Sequence, residues 1–242
     1  MNDNIVICST GIISPTGTGE NGADYFILGS NNKIDLKKHL EDKTGLPERI
    51  GRMSGISKLG LIGVSQALNE NGMDKKINEC SENTSVVIQS SSGCIESDRL
   101  FYEGMLKNGA SYASPAHFSY TLPNQLIGEI CIHYKFKGEN LCFYHEDELK
   151  FIKEGFFKTV LGKGFCLCAN IEYIDDITAK ELNLSPISRA IFFILCDNKL
   201  AKNMNINIMA KLKINKEEGC SSFKELFNEL YVNKREVINL KT

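Results

Sequence analysis

Four consecutive residues, His145-Glu146-Asp147-Glu148, put an imidazole and three carboxylates at one point of the chain. They follow a short apolar run at 141–144 and open a segment with helical spacing, 147–161. A strand that runs straight into a helix carries its last residues to the helix N-terminus. Partial positive charge and unbonded N–H groups there favour anions and lower the pKa of a thiol. Such a corner suits a nucleophile, yet this one holds neither Ser nor Cys. Its carboxylates have two possible uses. Asp147 can cap the helix, worth about 0.5–2 kcal/mol of stability. Alternatively it can act as a base on a bound substrate, with His145 and Glu146 beside it.

Other groups are less well placed for chemistry. His39 lies in a charged stretch, His117 in Ser114-Pro115-Ala116-His117-Phe118, and His133 at helical spacing from Glu129. Ser90 to Ser92 would need the sharp G-x-S-x-G turn to serve a hydrolase triad, and it is missing. Cys166 and Cys168 alternate onto one face of an apolar strand with no complementary ligands nearby, so no metal site is expected. Asn124, in Leu122-Pro123-Asn124, is expected to bond local backbone and start a helix at Gln125.

The elements that must position the corner follow from periodicity. Apolar runs predict strands at 4–8, 86–89, 141–144, 165–171 and 189–197, and alternation predicts one at 206–214. Helical spacing predicts helices at 56–71, 95–107, 125–135, 147–161 and 221–231, with a strand-like piece at 237–240. Residues 29–54 and 110–124 read as loop. Strands separated by helices imply parallel pairing through crossovers. The short link between 189–197 and 206–214 suggests an antiparallel hairpin.

The chain has 242 residues, 42 % apolar and 24 % charged, which suits a soluble α/β unit with a sizeable core. A net charge of −2 without basic runs argues against nucleic acid as a partner. No apolar run reaches the roughly 20 residues of a membrane span. The opening residues lack the pattern of a signal peptide, so a cytoplasmic location with nine reduced cysteines is expected. Neither G-x-G-x-x-G nor G-x-x-x-x-G-K-[ST] occurs, and no cofactor is expected.

The order of landmarks resembles the N-terminal half of the β-ketoacyl synthases, of the thiolase-like superfamily. The opening IVICSTGIISPTGTG is similar to the family's first strand and turn, and VVIQSSSGCIES to its strand and Gly-turn. ASPAHFSYTLPNQLIGEICIHYKFKGEN follows the family's SPxxFxxTxPNxxAGxIAxxxxxxGPN almost position by position. The strand ending in Glu172 resembles the family's GGxE strand, and the resemblance covers about residues 1–214. Counting from Gly138 forward, or from Gly155 back, the family's catalytic Cys falls on Asp147. The family's two catalytic histidines belong to a second half with no counterpart in these residues.

The resemblance implies an α/β fold, one thiolase-like half with a five-stranded mixed sheet (βαβαβαββ) and helices on both faces. Residues 1–214 would form that half and 215–242 a C-terminal helix and tail. A lone half is expected to leave open the apolar surface that the second half covers. In the family, the strand before the nucleophile pairs across a dimer. Leu141, Cys142, Phe143 and Tyr144 are then an edge seeking a partner, with Phe118 and Thr121 approaching it. The implied role is a pseudoenzyme in fatty-acid or polyketide biosynthesis. It would pair with a ketosynthase or with itself, in the manner of a chain-length factor, and dock acyl carrier protein. The alternative is a free-standing acyl-thioester enzyme, a decarboxylase or thioesterase, using residues 145–148.

Overall fold

The computed structural model describes residues 4–15, 17–18, 23, 46–109, 111, 113–162 and 164–241. His39 and most of the 29–54 loop lie outside these. In chain order the elements are β1 (Ile5–Ser14), β2 (Gly17–Thr18), α1 (Gly55–Asn69), α2 (Met73–Glu79), β3 (Ser85–Gln89), α3 (Ile95–Asn108) and α4 (Pro115–Ser119). Then come α5 (Gln125–Tyr134), β4 (Asn140–Phe143), α6 (Lys150–Leu161), β5 (Cys166–Ile174), α7 (Asp176–Glu181) and β6 (Ile187–Asp197). The chain closes with α8 (Asn198–Asn203), β7 (Ala210–Asn215), α9 (Phe223–Phe227) and β8 (Val237–Lys241). A 3₁₀ turn, Glu48–Arg52, precedes α1, and α9 continues as one π-helical turn, Asn228–Val232.

The strands form one mixed sheet in the order β4-β3-β5-β6-β1-β7-β8, with β2 added to the end of β1. It has eight strands among the described residues, not the expected five. The five-strand set is present as β4-β3-β5-β6-β1, and β7 and β8 extend it beyond β1. The expected hairpin of 189–197 and 206–214 does not form. Instead, β1 lies between β6 and β7 and is antiparallel to both. Asp197 ends β6 and caps α8, its Oδ1 accepting the N–H of Lys199 at 2.7 Å, and α8 carries the chain past β1. All ten residues of β1 are buried, which suits a central strand better than an edge.

Side chains alternate between two apolar layers, as the two-residue period of a strand requires. Val6, Ile88, Leu167, Ala169 and Phe192 face a layer that includes α1, α2 and α5. Ile7, Val87, Cys168, Ile191 and Phe193 face a layer that includes α6 and α9. Helices thus cover both faces. On the first face α1 lies hard against β1: a Cβ on Gly11 would sit 2.3 Å from the carbonyl oxygen of Gly63.

The second face is closed by the chain itself, contrary to the open surface expected of a lone half. Phe223, Leu226, Phe227 and Leu230 are all buried there. The ring of Phe227 stacks on Phe193 at 6.3 Å between centroids, and Phe223 lies 6.1 Å from Phe151. The outer edge of β8 is bridged at Leu240. Cys220 donates its N–H to Asn239 and accepts the N–H of Lys241, at 2.8 and 3.0 Å.

Candidate functional site at the strand–helix corner

β4 ends at Phe143 and α6 begins at Lys150, so residues 144–149 form a turn rather than the first turn of a helix. The expected cap is therefore displaced. Leu149 occupies the cap position and offers no side-chain bond. Gln89, the last residue of β3, supplies what Asp147 was expected to supply: its Oε1 accepts the N–H of Phe151 at 2.9 Å. Its Nε2 donates to the carbonyl oxygens of His145 and Asp147, both at 2.9 Å. Gln89 is only 1 % exposed, so these bonds hold the turn without competition from water.

Each acidic residue of the corner has a place. Asp147 Oδ1 accepts the N–H of Leu149 at 2.9 Å, and Oδ2 pairs with Lys153 Nζ at 2.6 Å. Lys153 is buried, so the carboxylate compensates a charge taken out of water. His145 Nδ1 accepts the N–H of Asp147 at 2.9 Å, which in the neutral ring puts the proton on Nε2. Glu148 reaches across to the C-terminal segment, accepting the N–H of Phe223 at 3.1 Å. Glu146 is exposed. The structure thus brings His145 and Asp147 together, but through backbone, not as an imidazole–carboxylate pair.

Nearby thiols are the reverse of activated. Cys142 donates to the carbonyl oxygen of Pro123 at 3.2 Å, and Cys94 to that of Leu122 at 3.4 Å. Burial pushes the Cys142 thiol up, and pushes Cys94 and Cys131 up to about 11. Thiolates are therefore scarce at neutral pH.

A second group stands at the same end of the sheet, around the Glu172 that the family resemblance placed at the end of its strand. Glu172, near the end of β5 and 3 % exposed, accepts the N–H groups of Ser91 and Ser92 at 2.8 and 2.7 Å. Ser92 Oγ in turn accepts the N–H of Tyr173 at 3.0 Å. The serine turn after β3 is thus tied to β5, not poised as a nucleophile. Asn170 is in register with Gln89, and its buried Oδ1 has no hydrogen-bond partner among the described residues. The sequence signal for Gln89 is a long polar residue ending an apolar run; Glu172 shares it and also ends the strand that resembles the family's GGxE.

The remaining candidates are spread around this corner. Leu141 and Phe143 pack half-buried against the α6 layer, while Cys142 packs against the α5 layer. Tyr144 is 64 % and Phe118 52 % exposed. Phe118 pairs with Phe101 at 5.6 Å between ring centroids, and Thr121 donates back to the carbonyl oxygen of Phe118 at 2.8 Å. The 110–124 connection is thus not all loop, since α4 lies within it. Asn124 stands at the cap of α5 but makes no side-chain capping bond, contrary to expectation. Glu129, which the sequence reading used only for its spacing from His133, is buried and held by Arg49 at 2.5 Å, Gln125 at 3.1 Å and Tyr120 at 3.3 Å.

β4 is an open edge. Val86 and Ser90 donate to Glu139 and Phe143, so odd-numbered residues here face β3. Alternation then turns the main-chain N–H and C=O of Asn140, Cys142 and Tyr144 away from the sheet. Among the described residues no group of three or more His, Cys, Asp or Glu side chains is arranged to hold a metal. No described helix is long and apolar enough to cross a membrane.

No family model matches the sequence, and no curated protein matches it. Solved structures do share the fold. One belongs to a type II PKS acyl-carrier protein in complex with its ketosynthase bound to the hexaketide. It has a TM-score of 0.67 at 14 % identity, over 98 % of this chain and 84 % of that one. A β-ketoacyl synthase from Burkholderia phymatum gives 0.63 at 16 %, over 86 % of this chain and 62 % of its own. A ketosynthase in complex with its chain length factor, from Xenorhabdus doucetiae, gives 0.59 at 16 %, over 80 % and 79 %. The chain is therefore similar in fold to ketosynthase-like proteins, and it spans 62 % of the length of the Burkholderia phymatum one.

Proposed function

We propose that this chain is a ketosynthase-like partner protein without β-ketoacyl synthase chemistry of its own. The observation that carries the reading is the asymmetry of the sheet edges. β8 is bridged by Cys220 at Leu240, whereas among the described residues β4 has no strand on its outer side, beside a corner fixed as structure. Both carboxylate oxygens of Asp147, the position matching the family's nucleophile, are engaged by Leu149 and Lys153. Strand addition at β4 would satisfy the outward groups of Asn140, Cys142 and Tyr144. The partner is a complete ketosynthase or a second copy of this chain, in fatty-acid or polyketide assembly with acyl carrier protein. The structural neighbours, which include a ketosynthase with its chain length factor and one with its acyl-carrier protein, support this choice.

Native mass measurement of the chain, alone and co-expressed with a ketosynthase, tests the reading. A stable dimer of either kind is expected. A monodisperse monomer in both preparations overturns it. Thioesterase or decarboxylase turnover by the isolated chain, lost in Asp147→Asn and Glu146→Gln, would instead establish the free-standing enzyme.

A further inference from the structure

A cavity of about 190 Å³ opens between the 3₁₀ turn Glu48–Arg52, α3 and α4, away from the corner. Its walls are largely apolar: Met53, Leu100 and the ring of Tyr120. Tyr120 is a fixed wall, since its hydroxyl donates to buried Glu129, which Arg49 and Gln125 also hold. Four polar side chains also line the space, Arg52, Ser54, Ser97 and His117, of which Ser54 donates to Ser57 Oγ at 2.9 Å. Among the described residues the Arg52 guanidinium has no ion-pair partner. Ser97 is only 6 % exposed, and its hydroxyl makes no hydrogen bond with a described residue.

We propose that this cavity binds a small amphipathic carboxylate, with the acid group on Arg52 and His117 and the apolar tail against Met53, Leu100 and Tyr120. Mostly apolar walls with a few convergent polar groups are what ligand sites have in common. The volume lies below the roughly 300–1,000 Å³ of sites for drug-sized ligands, so the occupant is a short chain or a single ring. An arginine selects a carboxylate over an amine or alcohol with the same tail. Ser97 donates to the second carboxylate oxygen or to a polar group on the tail. The site stands independently of the partner function and of β4.

Isothermal titration of the full chain with hexanoate, hexylamine and hexanol tests this. Hexanoate binds, and the amine and alcohol bind at least about tenfold more weakly, the order of one lost charged hydrogen bond. Arg52→Ala weakens hexanoate by a similar factor and leaves its difference from hexanol small. Leu100→Trp, at a half-exposed position that tolerates the larger ring, fills the cavity and removes binding. If Leu100→Trp does not fold, amide chemical shifts in the unaltered chain replace it, with the hexanoate response centred on residues 52–54, 97–100 and 117–120. No binding at millimolar hexanoate, equal binding of the three ligands, or a response centred elsewhere overturns the proposal.

Discussion

Gln89 and Phe151 stand 62 residues apart, and the side-chain oxygen of one accepts the backbone N–H of the other at 2.9 Å. Through this bond the end of β3 caps α6, which no residue adjacent to the helix does. The same amide clamps the turn at His145 and Asp147. Gln89→Leu keeps the volume but leaves the buried N–H of Phe151 and the carbonyl of His145 without this partner, while the carbonyl of Asp147 keeps the N–H of Lys150 at 3.1 Å. Each such group costs about 1–3 kcal/mol, partly relieved by relaxation. A loss of about 3 kcal/mol in chemical denaturation is expected. Gln89→Glu, which keeps an acceptor for Phe151 but no donors, falls between Leu and the natural residue. A loss for Gln89→Leu under about 1 kcal/mol would show that water replaces the amide.

The strands around this corner were legible because burial on both sides demands near-continuous apolar runs, as in 165–171 and 189–197. The helix start was not. Asp147 has the right residue type and spacing for a cap, but the capping group arrives from β3, and no local pattern announces a bond over that separation. The place of β1 between β6 and β7 was hidden for a related reason. Alternation in 206–214 specifies a strand with one solvated face, not which neighbour it takes. The burial of Glu129 and Glu172 follows from donors supplied by Arg49 and by the Ser91–Ser92 backbone, which residue type alone does not announce.

Asp147 and Lys153 form the one ion pair of the corner with a buried partner. Asp147→Asn keeps the acceptor for Leu149 but strands the ammonium of Lys153. A destabilisation of about 1–3 kcal/mol is expected, the range for losing a hydrogen bond to a charge. Lys153→Met removes the charge to be compensated and packs its own chain, so it costs less. In the double variant the two losses do not add, and the cycle gives a coupling of about 1 kcal/mol or more. Additive losses would mean that the pair contributes nothing beyond its parts. Assembly with a partner is expected to survive both single changes, because neither alters β4.

Glu70 gives a prediction about pH. It accepts the N–H and the hydroxyl of Thr10, at 3.3 and 3.0 Å, and burial raises its pKa above the ordinary 4.5. Burial likewise raises Glu96, which accepts the N–H of Gly55 at 2.8 Å. A raised folded-state pKa means that the folded chain holds the proton more tightly than the unfolded chain. The resulting stability is present in full below the unfolded pKa and is lost as pH rises through the folded value. Glu70→Gln keeps an acceptor and does not titrate. Its stability relative to the natural chain should therefore improve between pH 4 and pH 7 in paired denaturation curves. An unchanged or falling difference would contradict the assigned burial.

Phe227 tests whether the C-terminal segment belongs to the cooperative unit. It is fully buried and lies between Phe193 of β6, Phe223 and Tyr231. Phe227→Ala is expected to cost about 3–5 kcal/mol, the range for large-to-small changes in a core. Tryptic cleavage after Lys216 or Lys224 should accelerate in the same variant. If global stability stays within about 0.5 kcal/mol, α9 is a loosely docked appendage and not a wall of the second apolar layer.

The β4 edge can be closed without touching the sheet behind it. The N–H of Cys142 points outward, so Cys142→Pro removes a donor that β3 does not use, and proline is tolerated on edge strands. The lost thiol bond to Pro123 is a weak one, and the cost to folding should stay near 1 kcal/mol. A strand added to β4 would lose a ladder bond and meet the ring, so the dimer should weaken by about tenfold or more. Leu141→Pro is the control: its N–H faces β3, and that variant should lose folding stability as well as assembly. Tyr144→Lys, at a site already 64 % exposed, places a charge at the end of the edge and should weaken assembly without unfolding the chain. Native mass spectrometry and sedimentation read the assembly, and denaturation reads the fold. Cys142→Pro and Tyr144→Lys that assemble as the natural chain does would move the partner surface away from β4.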